Sequence, residues 1–174
     1  MFVAVDVHYL DDSIARAAVV AASDVRFSLI SFAETVMIPV AAPYQPGAFY
    51  RRELPPLRRV LPPAGSLALI VIDGYVDLDA AGRPGLGRHV NSEFGVPVIG
   101  AAKTHFKTAT HAAQVLRGRS SRPLYVTAAG MTVNDAARVV RQMAGRFRLP
   151  DALKLADRLA RGLEQPYAGT DREG

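Results

Sequence analysis

Residues 67–74 read Leu-Ala-Leu-Ile-Val-Ile-Asp-Gly, six consecutive apolar residues followed by Asp73 and Gly74 and preceded by Pro62-Pro63-Ala64-Gly65. An unbroken apolar run bounded by turn formers reads as a strand buried on both faces, hence one in the middle of a sheet covered by helices. Asp73 then emerges at the carboxyl end of that strand, where open α/β sheets place their ligand sites. Gly74 lets a backbone or a phosphate approach closely. An Asp that stops a buried strand can also be a plain turn former. Other acidic residues in the chain shift that balance.

The amino terminus supplies the first. Residues 2–9 (Phe-Val-Ala-Val-Asp-Val-His-Tyr) form a second strong strand, with Val3, Val5, Val7 and Tyr9 on one face and Phe2, Ala4, Asp6 and His8 on the other. An aspartate inside an apolar strand is costly to bury alone, so Asp6 calls for a metal or a basic side chain, or for an open strand face. If this strand and the Leu67 strand are neighbours, Asp6 and Asp73 lie about 4.8 Å apart across one site. Two such carboxylates with a Glu from a nearby helix can hold a pair of Mg²⁺ ions roughly 3.5–4 Å apart and hydrolyse a phosphodiester. Oxygen-only ligands favour Mg²⁺ or Mn²⁺ over Zn²⁺.

Between and after these strands, the pattern gives a mixed sheet. A hairpin is expected from Ile14–Ala22 and Val25–Phe32 around Ser23-Asp24, with Thr35–Val40 extended as well, so that the chain opens in an antiparallel meander. A short helix through Leu61, a helix over 85–94, and strands at 96–101 and 123–128 follow. Thr132 with Asp135 marks a capped helix, and Pro150 opens a last one whose apolar face carries Ala152, Leu155, Ala156, Leu159 and Leu163. Residues 1–164 read as a single α/β domain with a mixed five- or six-stranded sheet flanked by helices, and 165–174 as a polar tail. Residues 82–87 (Gly-Arg-Pro-Gly-Leu-Gly) lack both the Gly-Lys-Ser/Thr of a phosphate loop and the dinucleotide glycine spacing.

The 174 residues contain no cysteine, which excludes disulfides, thiolate metal sites and cysteine nucleophiles and fits a cytoplasmic protein. No apolar run is long enough to span a membrane and no secretory leader is seen. The formal net charge is +5, much of the excess in Arg51, Arg52, Arg58, Arg59, Arg83, Arg88, Arg117, Arg119 and Arg122. Arginine suits phosphate, so either a polyanionic partner or a solvated basic surface explains it.

Six stretches, in order, resemble the endonuclease V family. Val3–Tyr9 resembles its first-strand Gly-Val-Asp-Val-Ser-Tyr, with His8 in place of Ser, and residues 43–53 resemble Pro-Tyr-Ile-Pro-Gly-x-x-x-Phe-Arg-Glu. Residues 72–74 resemble Val-Asp-Gly, 85–89 resemble Gly-x-Ala-Ser-His, 97–103 resemble Pro-Thr-Ile-Gly-Val-Ala-Lys, and 148–157 resemble the closing Arg-Leu-Pro-Glu-Pro-x-Arg-x-Ala-Asp. The resemblance implies a ribonuclease H-like fold and Mg²⁺-dependent cleavage of DNA or RNA near deoxyinosine, inosine or another deaminated base. It makes Asp6, Glu53 and Asp73 the catalytic, metal-binding carboxylates and Tyr44 a wedge into the strand. Pro46 and Gly47, with Gly74 and Gly100, would contact the substrate and shape a base pocket, and His89 and Lys103 would lie near the cleaved phosphate.

The chain departs from the family pattern where a further metal-ligating His or Asp is expected after the Pro-Leu-Tyr-Val strand: Gly130 or Met131 stands there. His8, Asp77 and Asp79 are the candidates to compensate. The segment between Lys103 and Pro123 is shortened and the His-Pro-Arg after Asp-Gly is missing. The alternative is therefore a catalytically weak or inactive nucleic-acid-binding homologue. A phosphoesterase sharing only the fold is a third and more distant reading.

Overall fold

A computed structural model describes residues 1–39 and 50–168. The chain opens with β1 (Phe2–Tyr9), β2 (Ile14–Ala22) and β3 (Ile30–Pro39), an antiparallel meander. Then come α1 (Tyr50–Val60), β4 (Leu69–Ile72), α2 (Leu86–Phe94) and β5 (Val98–Ala102). The last third holds β6 (Ala113–Val115), β7 (Leu124–Ala129), α3 (Val133–Gln142), α4 (Asp151–Ala160) and β8 (Tyr167–Ala168).

These strands form one mixed sheet in the order β6-β7-β5-β4-β1-β2-β3-β8. The five or six strands expected are the six longest, and β6 and β8 extend the sheet to eight at its two edges. Runs of two or three residues leave little periodic signal, so the edges were not legible. Tyr167 and Ala168, within the stretch read as a polar tail, pair with Ala33 and Phe32.

The fully buried strand read at 67–74 lies at the centre. β4 runs parallel to β1 on one side and to β5 on the other, and all four of its residues are buried. Side-chain alternation divides the core into two layers. Val3, Val5, Ile70 and Ile72 face α1 and α2 through Leu57, Val60 and Val90, while Ala4, Leu69, Val71 and Ile99 face α3 and α4 through Val140, Ala156 and Leu159. Thr132 caps α3, its hydroxyl accepting from the Asp135 N–H at 3.1 Å, as the capping pattern implied.

Two local expectations fail for physical reasons. The second arm of the hairpin does not begin at Val25: the Asp24 carboxylate accepts the N–H groups of Arg26, Ser28 and Leu29 at 2.9, 3.0 and 3.2 Å, coiling the backbone into a turn. Phe27 takes a left-handed φ of 56° there and is buried, so the strand starts at Ile30 and absorbs residues 35–39 of the segment read as a separate strand at 35–40, Val40 lying outside the described residues. Leu163 lies past the end of α4 and is 60% exposed, so it is not part of that helix's apolar face.

Beneath the centre, a Cβ on Gly100 would stand 2.5 Å from the Gly74 carbonyl oxygen, 2.8 Å from Thr127 Oγ1 and 2.9 Å from the Val76 nitrogen. Two of these are backbone atoms that cannot swing aside. Gly100→Ala is expected to destabilise the protein by about 1–3 kcal/mol, read as a lower urea midpoint with unchanged slope.

Candidate active site

The ladder between β1 and β4 runs Phe2 with Leu69 through Val5 with Ile72. One step further brings Asp6 level with Asp73, on adjacent parallel strands at the carboxyl edge of the sheet. Glu53 arrives from the first turn of α1, where Pro55 and Pro56 follow it and fix the local backbone dihedrals. Asp6, Glu53 and Asp73 together line one narrow cleft, floored by Val5, Leu57 and Ile72.

Crowding and burial set the electrostatics. Burial first, then the Asp73 carboxylate, pushes the Asp6 carboxyl up to about 7. Burial, then Asp6 and Asp73, pushes Glu53 up to about 8. Both carboxyls resist ionisation because each extra negative charge meets another in poorly solvated surroundings. The Lys103 ammonium stands 2.5 Å from Asp73 Oδ2, and its own pKa is raised by that carboxylate against the opposing effect of burial.

A fourth carboxylate joins the cluster. Asp157, on the face of α4 that crosses β1, raises the Asp6 pKa and contributes to that of Lys103. Its own neighbour is Arg161, whose Nε donates to Asp157 Oδ1 at 3.0 Å and whose pKa is raised chiefly by Asp157, with Asp6 and Asp73 adding to it. The residue completing the acidic set is thus on the last helix. Gly130 is a positive-φ turn (φ 73°) packed against Pro97, and Met131 packs on the α3–α4 core, so the position after β7 holds no ligand.

The remaining candidates to compensate do not reach the cleft. His8 lies opposite Arg16 of β2 and is not among the residues lining it. Asp77 is buried and held by Arg88, whose Nε donates to Oδ1 at 2.9 Å and whose Nη2 donates to Oδ2 at 2.5 Å. Asp79 pairs with Arg83 at 3.3 Å.

Beside the carboxylates opens an apolar cavity of about 200 Å³, bordered by Tyr50, Gly74, Tyr75, Leu78 and Leu86 along with Glu53 and Asp73. Its walls are braced. The Tyr50 ring stacks on His89 with centroids 3.6 Å apart, and burial lowers the His89 pKa. The Tyr75 hydroxyl donates to the Thr104 carbonyl at 2.8 Å and accepts from the Phe106 N–H at 3.1 Å. Gly100 lies under Gly74, admitting the tight approach that lets the loop after β4 turn over β5.

Of the residues singled out from the sequence, Asp6, Glu53, Asp73, Gly74 and Lys103 meet at this edge, His89 braces a wall, and Gly100 supports the floor. Tyr44, Pro46 and Gly47 lie outside the described residues. Tyr50, Tyr75 and Asp157 were missed. Tyr50 precedes Glu53 by one helical turn, and Asp157 ends the closing motif, so both carried a signal in the sequence.

As placed, no three His, Asp or Glu side chains among the described residues converge closely enough to hold a metal ion. The donor chemistry nonetheless fits a hard divalent cation: carboxylate oxygens from Asp6, Glu53, Asp73 and Asp157, the first two hindered from ionising by burial and then by neighbouring carboxylates.

A mixed sheet of this order with helices on both faces is a ribonuclease H-like fold, and the solved structures it resembles include several endonuclease V structures. The endonuclease V family model matches residues 1–118, and the chain belongs to that family. It is 32% identical over 145 residues to endonuclease V of Azotobacter vinelandii, covering 72% of this chain and 66% of that protein. It is 31% identical over 170 residues to endonuclease V of Thermococcus kodakarensis, covering 98% and 82%. The structure of Ciona intestinalis endonuclease V, in complex with a 24mer DNA containing an inosine followed by a ribo-adenosine, superposes with a TM-score of 0.76 at 18% identity, over 93% of this chain and 84% of that one. The chain thus spans about two thirds of the length of the first of these relatives.

A carboxyl that binds its proton more tightly in the folded than in the unfolded state stabilises the fold below the unfolded pKa, and that stabilisation is lost as pH rises through the folded value. Asp6 and Glu53 are such groups, with folded values about 7 and 8. Without divalent ions, urea-unfolding stability should fall by up to roughly 7 kcal/mol between about pH 5 and about pH 9, and Glu53→Gln should flatten much of that slope.

Proposed function

We propose that this protein is a divalent-cation-dependent endonuclease that cuts a phosphodiester bond near deoxyinosine, inosine or another deaminated base in DNA or RNA, acting in the cytoplasm in nucleic-acid repair or processing. The observation that carries this reading is the mutual crowding of Asp6, Glu53 and Asp73 at the carboxyl edge of β1 and β4. Membership of the endonuclease V family and the apolar cavity beside those carboxylates support it.

In this reading Asp6, Glu53 and Asp73 hold Mg²⁺, with Mn²⁺ as a substitute, and Asp157 completes the set. The bound cation supplies an activated water and stabilisation of the leaving oxygen. The chain's own groups do the rest. Burial and like charge leave Asp6 and Glu53 in need of a countercharge, which either a proton or a cation supplies, and Lys103, resting on Asp73, is placed to meet a phosphate oxygen. Tyr50 and Tyr75 offer rings to a base displaced from its stack, a contact worth about 1–3 kcal/mol. Tyr44 serves as the wedge, and Pro46 and Gly47 contact the substrate. No helix among the described residues is long and apolar enough to cross a membrane.

A second reading, a nucleic-acid-binding homologue with little or no cleavage, is favoured by the Lys103 ammonium lying where a cation would be expected on Asp73. A nicking assay on a deoxyinosine duplex and an inosine RNA, with Mg²⁺ or Mn²⁺, separates the two. Cleavage is expected, and Asp73→Asn should lower it at least about 100-fold, since even outer partners of metal ligands are worth 10–100-fold. Salt-dependent binding with no cut product at high enzyme excess would establish the second reading instead. Independently, saturating Mg²⁺ at pH 8 should raise the melting temperature, by roughly the equivalent of 2.7 kcal/mol at a hundredfold excess over Kd, and Asp73→Asn should abolish that rise.

A further inference from the structure

Lys103 borders two concavities. Its ammonium lies on Asp73 at the acidic cluster, and its residue also forms one wall of a shallow groove of about 400 Å³ that shares no lining residue with the apolar cavity. The register explains the position. β5 and β7 are antiparallel with Ala102 opposite Tyr125, so the end of β5 and the start of β7 open together at the edge where Asp73 emerges.

Lys103, His105, Arg122 and Arg148 give this groove four basic side chains, and none of the described residues lining it is acidic. Its two sides are tied by Arg148, whose Nη2 donates to the carbonyls of Lys103 at 2.5 Å and Pro123 at 2.7 Å. His105 is held as well, because the Tyr75 hydroxyl bonds the backbone of Thr104 and of Phe106 on either side of it. The His105 ring leans on that of Tyr125, centroids 5.0 Å apart at 49°, forming an aromatic ledge. A positively charged channel beside aromatic rings is the arrangement by which proteins grip unpaired nucleic acid, phosphate on the cations and base on the rings. The volume lies within the roughly 300–1,000 Å³ of ligand sites.

We propose that this groove binds one unpaired nucleotide of the substrate strand, next to the acidic cluster that Lys103 touches, with its phosphate on Arg122 and Lys103 and its base against His105 and Tyr125. The strand then extends past the carboxylates into the groove, and Tyr75, which borders the cavity and bonds the backbone on both sides of His105, links the two. This rests on the nuclease reading for the strand's course, but the groove itself can be tested without cleavage.

The test is fluorescence anisotropy with labelled single-stranded, inosine-containing oligonucleotides in EDTA, titrated with salt: one with long flanks, one trimmed on the 5′ side and one trimmed on the 3′ side. Arg122 and His105 are exposed, and circular dichroism checks that the variants fold. Arg122→Ala should weaken binding of the long strand and reduce the slope of log K against log salt by about 1, with Arg122→Lys restoring most of the slope. His105→Ala should weaken it about fivefold or more. Both losses should vanish for the oligonucleotide trimmed on one particular side. Wild-type affinity and slope in both variants, or equal losses with either trimmed strand, would overturn the proposal. A chain that cuts nothing yet shows this one-sided dependence loses the nuclease reading and keeps the groove. One that cuts inosine strands without any dependence on Arg122 or His105 keeps the first and loses the second.

Discussion

The arrangement depends on one pairing, that of β1 with β4 as parallel neighbours. It places Asp6 level with Asp73, and nothing else in the chain could bring residues 67 positions apart into the same cleft so directly. Parallel strands need crossovers that cover their faces, and here α1 and α2 lie over one face and α3 and α4 over the other. α1 carries Glu53 to the cleft and α4 carries Asp157. The covering that buries the sheet therefore also delivers the remaining charge.

Concentrating negative charge at a half-buried edge opposes folding, and the protein offsets it with protons and with cations of its own. Asp6 and Glu53 hold protons more tightly than ordinary carboxyls, and Lys103 and Arg161 stand against Asp73 and Asp157. The edge is rigid elsewhere. Thr127 Oγ1 accepts the Val76 N–H at 2.8 Å, Arg88 grips Asp77, and Gly100 lets the turn after β4 settle directly upon β5. Charge is thus the adaptable component on a fixed frame.

Much of this was legible in the residues. Alternation along residues 2–9 separated the two faces of β1 correctly, since the pleat has a period of two and each face meets a different pair of helices. The capped start of α3 and the proline-led start of α4 followed from local chemistry that needs no partner. Reading failed where a local hydrogen-bond acceptor outcompeted the strand pattern, as at Asp24, and where strands were too short to have a pattern, as with β6 and β8. Asp157 was visible only as the end of a motif. Its approach to Asp6 arises from how α4 crosses β1, a packing relation that no spacing along the chain encodes.

By itself the sequence determined the central buried strand, the acidic residues within β1 and just after β4, and the absence of thiol chemistry, because burial and side-chain type are written in composition and periodicity. Tertiary structure alone decided which acids share a cleft, that Asp77 is claimed by Arg88, and that a basic groove continues from Lys103. Those outcomes turn on distances between segments far apart in the chain, and only strand register and helix packing set such distances.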